Sequence, residues 1–413
     1  MKENLMNRSG KLKIFKLRNQ ILEYAWGSKT CISHLQGKDE SSPEPQAELW
    51  MGTHPMGSSR ILINGKEESL LELIRQDPKR MLGDKIARKF KNELPFLFKI
   101  LAAAHPLSIQ AHPNKIQARK GFEFENKENI PLNSPERNYR DDNHKPELIC
   151  ALTNFEAMCG FQPIGDIVER IKYLQLEDYI SMTKELETDL SIKNLKKMFS
   201  ELMGKHDDVQ TKKVSILVNK IAELGPRDEN EKIIFKWISR LAALYPKDMG
   251  VFSPLFLNVI KLLPGEALFI EAGVLHTYLS GCGVEVMANS DNVLRGGLTH
   301  KKVDLHNLIK ILKFDNTGLI KVQPKYSKDE YIYQTSAEEF QLSKIVTKEK
   351  DPFVNSDIQS AEIILCTEGR GSIKWSGSIL ELKYGESVFV PFSISEYSIE
   401  GSMELYRVVI PTR

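Results

Sequence analysis

The chain has 413 residues, of which 41% are hydrophobic, so it is long enough to form two or three domains that each bury a core. Lysine plus arginine total 57 and aspartate plus glutamate total 55, and the net charge of +2 excludes a whole-molecule field that would attract nucleic acid or an anionic membrane. We therefore expect neither a nucleic-acid partner nor a membrane partner.

The N-terminal residues 1–17 mix charged and apolar side chains and lack the apolar core of a secretory signal. No stretch reaches the roughly 18 apolar residues of a membrane span. These features predict a cytoplasmic protein. The five cysteines are scattered and contain no CxxC pair, which favours reduced, structural cysteines at all five positions (Cys31, Cys150, Cys159, Cys282 and Cys366).

Short apolar runs, broken by glycine, proline and asparagine, predict mostly β-strands over residues 11–157, with helices at 70–75 and from Lys115. The polar, proline-containing segment 129–138 is predicted to be a loop. Apolar residues then recur at helical spacing and predict a helical insertion over 163–249, with a break between two helices at 225–231. After Leu262 the strand pattern returns, with a mixed region near 304–327.

Two segments resemble each other. Residues 262–276 align with 382–396 at a constant spacing of 120 residues, and each predicts a turn, a buried strand and a second turn, which is typical of a jelly-roll barrel such as a cupin. The first copy ends in His276, a common metal ligand, whereas the second ends in Glu396. We therefore expect the second barrel to lack a metal site.

The predicted fold is mainly β, with two cupin-like jelly-roll barrels, one catalytic and one degenerate and C-terminal, and an α-helical insertion. The predicted domains are a catalytic cupin domain at 1–162 plus 250–320, the insertion at 163–249, and a C-terminal cupin-like domain at 321–413.

Three distant segments place metal-binding side chains in strands or turns. Gln110 and His112 are two residues apart, so in a strand both point to one face of a sheet. Glu147 follows a proline at a predicted strand entry, and His276 follows a turn. Two imidazoles, a carboxylate and an amide suit zinc and leave a divalent ion with a formal charge of +1. Spacing alone favours ordinary hydrogen-bonded positions for these residues over a metal site.

Sequence motifs strengthen the metal hypothesis. YRDDNHKPE at 139–147 resembles a signature of the type I mannose-6-phosphate isomerase family, and the segment at 276–301 is similar to the second family signature. Residues 20–28, 46–55 and 107–115 also resemble family blocks. The resemblance extends from about residue 20 to 301.

The resemblance implies one Zn²⁺ per chain, held by Gln110, His112, Glu147 and His276, and a catalytic role for Arg295. It also implies an enzyme that interconverts the sugar phosphates mannose 6-phosphate and fructose 6-phosphate, a reaction that passes through a cis-enediol. Separately from the resemblance, we expect a monomer, although the sequence does not determine the oligomeric state.

Further roles follow from residue type and position. Lys145 shares the predicted face of Glu147, so it is a candidate second cation or proton donor, whereas His144 points the other way. The general base is left open between Glu285, which we rank first, Asp291 and His144. Hydroxyl and ammonium groups suit the phosphate, and the candidates are Ser108 and Lys301.

Three positions depart from the usual family residues: Thr277 and Gly296 replace alanine, and His300 replaces proline. The last two flank the segment that carries Arg295 and Lys301. Two other functions compete with the isomerase. A non-catalytic sugar-binding cupin is disfavoured by the presence of Arg295 and all four ligand types, and an iron-dependent oxygenase is disfavoured by the glutamine.

Overall fold

The computed structural model describes residues 13–63, 65–180, 182–204 and 208–412. Residues 1–12, which include most of the segment examined for a secretory signal, lie outside these ranges. Within them the chain forms 22 strands and eleven α-helices, so the fold is mainly β, as predicted. No helix in these ranges has both the length and the apolar character needed to cross a membrane.

The strands in chain order are β1 (Phe15–Arg18), β2 (Gln20–Leu22), β3 (Glu48–Gly52), β4 (Arg60–Ile63), β5 (Lys66–Ser69), β6 (Phe96–Ala103), β7 (Ile109–Ala111), β8 (Glu147–Ala151), β9 (Phe155–Phe161), β10 (Leu257–Leu262), β11 (Ala267–Ile270), β12 (His276–Ala288), β13 (Leu294–Gly297), β14 (Ile320–Val322), β15 (Lys325–Ser327), β16 (Glu330–Tyr333), β17 (Gln341–Thr347), β18 (Phe353–Asn355), β19 (Glu362–Trp375), β20 (Ser378–Lys383), β21 (Ser387–Val390) and β22 (Tyr397–Val409).

The helices are α1 (Cys31–Leu35), α2 (Leu70–Gln76), α3 (Pro78–Leu82), α4 (Asp84–Lys89), α5 (Lys115–Lys127), α6 (Ile164–Tyr173), α7 (Thr183–Thr188), α8 (Ile192–Met203), α9 (Asp208–Leu224), α10 (Glu229–Leu244) and α11 (Leu305–Ile311).

The described strands form two sheets of eleven strands each. The first sheet has the order β14-β11-β8-β12-β6-β3-β2, with β7, β9, β10 and β13 attached to this path. The second has the order β15-β16-β17-β22-β19-β21-β1-β4-β5, with β18 and β20 attached. Because β1 pairs with β21, the first described strand of the chain belongs to the sheet that is otherwise formed mostly by the C-terminal residues.

The first sheet is buried on both faces. On one face, Phe98 and Val286 belong to a single apolar cluster with Ile363 and Phe389 of the second sheet. Side chains alternate along a strand, so the neighbouring residues on β6, β8 and β12 point to the opposite face. That opposite face carries the polar groups described below.

The predicted helices are confirmed. α2 covers the predicted helix at 70–75, and α5 begins at Lys115 with Asn114 as its N-cap, where the side chains and backbone of Asn114 and Gln117 form a capping box. The helical insertion is formed by α6 to α10. The predicted break at 225–231 is shorter in the structure, because the Asp228 side chain accepts a hydrogen bond from the backbone of Glu231 and starts α10 inside it.

The prediction that all five cysteines are reduced is wrong for one pair, because Cys31 and Cys282 form a disulfide. Cys31 begins α1 and Cys282 lies in β12, with their Cα atoms 6.5 Å apart and a sequence separation of 251. Sequence spacing does not reveal such a pair, because packing of α1 beside the first sheet brings them together. The other three cysteines are free and buried, as predicted.

Candidate functional site

Three of the four predicted metal ligands meet in the structure. Ligand atoms of His112, Glu147 and His276 all lie within 4.8 Å of one another. Nε2 of His112 is 3.3 Å from one oxygen of Glu147, and Nε2 of His276 is 3.3 Å from the other. Both imidazoles are fully buried and the carboxylate is only 2% exposed. We call these three residues the His–Glu–His group.

Hydrogen bonds orient both imidazoles. Nδ1 of His112 lies 2.7 Å from the carbonyl oxygen of Asn292, and Nδ1 of His276 lies 2.9 Å from that of Val274. A carbonyl can only accept, so each Nδ1 carries the proton and each Nε2 presents a lone pair toward Glu147. Both Nε2 atoms and one oxygen of Glu147 are buried without a hydrogen-bond partner. Buried lone pairs that converge in this way fit a metal ion.

The charge states also suit metal binding. Burial lowers the pKa of His112 to about 4, although Glu147 opposes this shift. Burial alone would raise the pKa of Glu147, but Lys145 and His112 outweigh it and hold that pKa well below its ordinary value. A neutral imidazole and an ionised carboxylate at neutral pH are the states that bind a metal ion.

Strand register places two further predicted residues beside this group. In β7, Gln110 lies directly opposite His276 of β12 on one side and Arg295 of β13 on the other. Residues directly opposite in an antiparallel pair project to the same face of the sheet. The Gln110, His276 and Arg295 side chains therefore share one face. Ser108 is half-buried and precedes β7 by one residue, two positions before Gln110.

Lys145 and His144 point in opposite directions, as strand alternation predicts. The Lys145 ammonium lies 3.1 Å from Glu147, so it adjoins the His–Glu–His group. The His144 ring lies 2.7 Å from a carboxylate oxygen of Glu339, a buried residue that precedes the second-sheet strand β17. That hydrogen bond directs His144 away from the metal-binding atoms and disfavours it as the general base.

Glu285 lies on the same face, in a polar network that sequence reasoning largely missed. Its carboxylate is 2.5 Å from the Lys99 ammonium and accepts a hydrogen bond of 2.8 Å from the Tyr278 hydroxyl. Lys99 also lies 3.6 Å from Glu48. Burial raises the pKa of Glu285, and the charge of Glu147 adds to this, although Lys99 opposes it. No spacing pattern indicates Lys99, because a lone lysine within an apolar strand has no local signature.

Asn292 forms hydrogen bonds that link the two segments that carry the family signatures. Its side chain accepts a hydrogen bond from the backbone of Arg140, at 2.7 Å, and donates to the carbonyl oxygens of Asp141 and Asn143. Its own carbonyl oxygen orients His112. The carboxylate of the neighbouring Asp291 pairs with His54 at 3.3 Å, so this carboxylate already has a partner.

The segment that carries Arg295 is packed closely against the end of the insertion. A Cβ atom on Gly297, whose φ is +145°, would lie 2.9 Å from the Asp248 side chain and 3.0 Å from the Gly250 backbone. A Cβ on Gly296 would approach Leu308 to 3.0 Å, so the family's usual alanine would require a small shift of that side chain. Asp248 also accepts a hydrogen bond from the backbone of Thr299. Gly296 and Gly297 therefore lie where neighbouring atoms leave little room for a side chain.

The second sheet repeats the geometry of the first with different chemistry. In the first sheet Glu147 lies opposite Ile270. In the second sheet Glu362 lies opposite Val390, which comes 120 residues after Ile270, so the predicted internal repeat is confirmed for these strands. In the first sheet, Glu285 lies two residues before the β12 residue that pairs with Glu147. In the second sheet, Arg407 lies two residues before the β22 residue that pairs with Glu362, so Arg407 takes the position of Glu285. The Arg407 guanidinium contacts Glu362 at 3.1 Å and Glu330 at 2.6 Å. A single buried cation of the chain itself therefore pairs with both carboxylates.

We expect Arg407→Ala to lower the free energy of unfolding by about 3–5 kcal/mol, because it leaves two buried carboxylates without their cation. Urea unfolding would measure the loss. Arg370→Ala removes the same charge from an exposed position on β19 and serves as the control. An Arg407→Ala protein as stable as the control would contradict this account, whereas adding Glu330→Gln and Glu362→Gln is expected to recover part of the loss.

Family models match three segments of the chain. The catalytic domain of phosphomannose isomerase type I matches residues 14–164, and the helical insertion domain of the same family matches 168–257. The cupin domain of mannose-6-phosphate isomerase matches 330–410.

Curated relatives match over most of their length. The mannose-6-phosphate isomerase of Escherichia coli K12 is 40% identical over 397 residues, which cover 95% of this chain and 98% of that protein. The human mannose-6-phosphate isomerase is 35% identical over 345 residues, covering 79% of this chain and 77% of the human protein.

Solved structures agree with the sequence matches. A crystal structure of a phosphomannose isomerase variant from Salmonella typhimurium superposes with a TM-score of 0.89 at 38% identity, covering 96% of this chain and 99% of that one. A zinc-bound mannose 6-phosphate isomerase superposes with a TM-score of 0.88 at 39% identity and the same coverage. The chain belongs to the type I phosphomannose isomerase family.

Proposed function

We propose that this chain is a zinc-dependent isomerase that interconverts mannose 6-phosphate and fructose 6-phosphate. The observation that carries the proposal is the buried His–Glu–His group, whose unpartnered Nε2 atoms converge on Glu147. Gln110 supplies the fourth ligand in this proposal, because its register places it on the face of His276. One zinc ion per chain fits this donor set of two imidazoles, a carboxylate and an amide.

The reaction moves a proton between C1 and C2 of the sugar through a cis-enediol, so negative charge develops on the two adjoining oxygens. When bound, zinc would supply a Lewis acid that polarises these oxygens. Arg295, on the face of Gln110 and His276, stabilises the developing charge with its guanidinium. Lys145 places a second cation beside Glu147 and can donate a proton to the oxygen at C1 and take back the proton that the hydroxyl at C2 releases.

Glu285 is the proposed general base. Burial raises its pKa, which brings a carboxylate closer to the neutral range in which a base can accept and return a proton. Lys99 and Tyr278 hold its carboxylate in place through contacts of 2.5 and 2.8 Å. We assign the carbon-bound proton to Glu285, which takes it from C2 of the aldose and delivers it to C1 to give the ketose. Ser108 and Lys301 remain the proposed phosphate ligands.

We also propose that the two sheets are cupin-like jelly-roll barrels, the first catalytic and the second degenerate. The division would be 1–162 plus 250–320 for the catalytic domain, 163–249 for the insertion and 321–413 for the C-terminal domain. The repeated pairing of Glu147 and Glu362 supports the common architecture of the two sheets.

Metal removal tests the proposed function directly. We expect the purified protein to contain about one zinc per chain by elemental analysis, as expected for one closed set of ligands. Treatment with a chelator should abolish the conversion of mannose 6-phosphate in a coupled assay, and added Zn²⁺ should restore it. Full isomerase activity in metal-free protein would contradict zinc dependence. A protein that carries iron and has no isomerase activity would favour the oxygenase alternative instead.

A further inference from the structure

Three cations in the segments that carry the family signatures form no ion pair within the described residues, although one of them, Arg140, acts on Asp291, whose pKa is lowered against the effect of burial by His54 first and then by Lys145 and Arg140. The guanidinium groups of Arg140 and Arg295 and the ammonium of Lys301 take part in none of the side-chain hydrogen bonds or ion pairs of that part of the chain. They repel one another, however. Burial lowers the pKa of Lys301, and the charges of Arg295 and Arg140 lower it further. Burial likewise lowers the pKa of Arg295, with Arg140 adding to the effect.

The backbone brings Arg140 to this place. Its amide donates to the Asn292 side chain at 2.7 Å, and the next residue, Asp141, accepts a hydrogen bond of 2.7 Å from the amide of Asp291. The first family signature is therefore anchored to the segment that leads into Arg295. Because Asn292 is fully buried and also orients His112, the position of Arg140 relative to the His–Glu–His group is set by hydrogen bonds.

The nearby carboxylates are already engaged. Asp141 accepts hydrogen bonds from the Ser290 hydroxyl and from two backbone amides, and Asp291 pairs with His54. Neither carboxylate forms an ion pair with Arg140. Cations that form no ion pair and are brought together by backbone hydrogen bonds suit a bound anion, and arginine is well shaped for the oxygens of a phosphate.

We propose that Arg140 binds the phosphate group of the sugar-phosphate substrate together with Lys301. This inference rests on the proposed function. In mannose 6-phosphate the phosphate is at the end of the sugar opposite C1 and C2. The reacting carbons therefore lie toward the buried His–Glu–His group, and the phosphate lies toward the exposed side chains of Arg140 and Lys301.

Arg140→Ala tests this assignment. We expect the KM for mannose 6-phosphate and the inhibition constant of inorganic phosphate each to rise about 10-fold, the size of effect that follows from losing one hydrogen bond to a charged group. The kcat should change less than about twofold, because uniform binding is lost and the reacting atoms are not touched. Arg140→Lys, which keeps the charge, should recover most of the phosphate affinity.

Arg370→Ala, which removes an exposed arginine from the second sheet, is the matched control, and zinc content verifies that the site is intact. Unchanged KM and phosphate inhibition in Arg140→Ala would overturn the inference while leaving the isomerase function standing. A fall in kcat without a change in phosphate affinity would also overturn it, since Arg140 would then act through Asn292. If the wild-type protein does not turn over mannose 6-phosphate, the proposed function fails, and calorimetric titration with inorganic phosphate still tests Arg140.

Discussion

His276→Ala is expected to lose its bound zinc and with it the isomerase activity. The substitution removes one of two imidazoles whose Nε2 atoms face Glu147, and it leaves that carboxylate with fewer partners in a buried site. Losing the hydrogen-bond partner of a ligand typically costs about 10–100-fold in metal affinity, so losing the ligand itself should cost at least about 100-fold. Elemental analysis after gel filtration and the coupled assay would measure both losses.

His306→Ala is a matched control, because it removes an exposed imidazole from α11. It should retain zinc and activity. Circular dichroism would verify that the His276→Ala protein is folded, which separates loss of the ion from loss of the fold. A folded His276→Ala protein with one tightly bound zinc per chain would show that His276 is not a ligand.

Arg295→Ala is expected to keep its zinc and lose about 10²–10³-fold in kcat, the range found when one group that stabilises transition-state charge is removed. The guanidinium shares a face with Gln110 and His276 and is absent from the His–Glu–His group itself. Metal content should therefore be unaffected while turnover falls.

Arg295→Lys keeps a positive charge but loses the planar donors of the guanidinium, so an intermediate activity would support a role in binding the sugar oxygens. Steady-state kinetics with mannose 6-phosphate would give kcat and KM separately. Full activity in Arg295→Ala would remove this residue from the proposed mechanism. Loss of zinc in the same variant would instead mean that Arg295 maintains the structure of the metal site.

The second sheet suggests how one architecture can carry two chemistries. Glu147 and Glu362 occupy corresponding strand positions, and both are buried. The first has imidazoles that present lone pairs, whereas the second has the Arg407 guanidinium and the Tyr397 hydroxyl, which donates at 2.6 Å. A carboxylate that is satisfied by donors of the chain has no need of a metal ion. This is consistent with the absence of a second His–Glu–His arrangement from the described residues.

Local patterns in the sequence were sufficient to predict several features of the structure. Apolar residues at helical spacing predicted α6, α9 and α10 of the insertion, because each of these helices buries one face and the pattern repeats within a few residues. The spacing of 120 residues predicted the correspondence between β11 and β21. The family signatures pointed to His112, Glu147 and His276, which the structure then brings together.

Other features depended on tertiary structure. Lys99 contacts Glu285 only because β6 and β12 pair in one register, and Arg140 reaches Asn292 across 152 residues of sequence. The Cys31–Cys282 disulfide arises in the same way, from packing between distant segments. The sequence by itself determined which residue types are present and which short segments are helical or extended. Strand pairing decided which side chains share a buried face, because contacts between distant segments depend on register and leave no local periodicity in the chain.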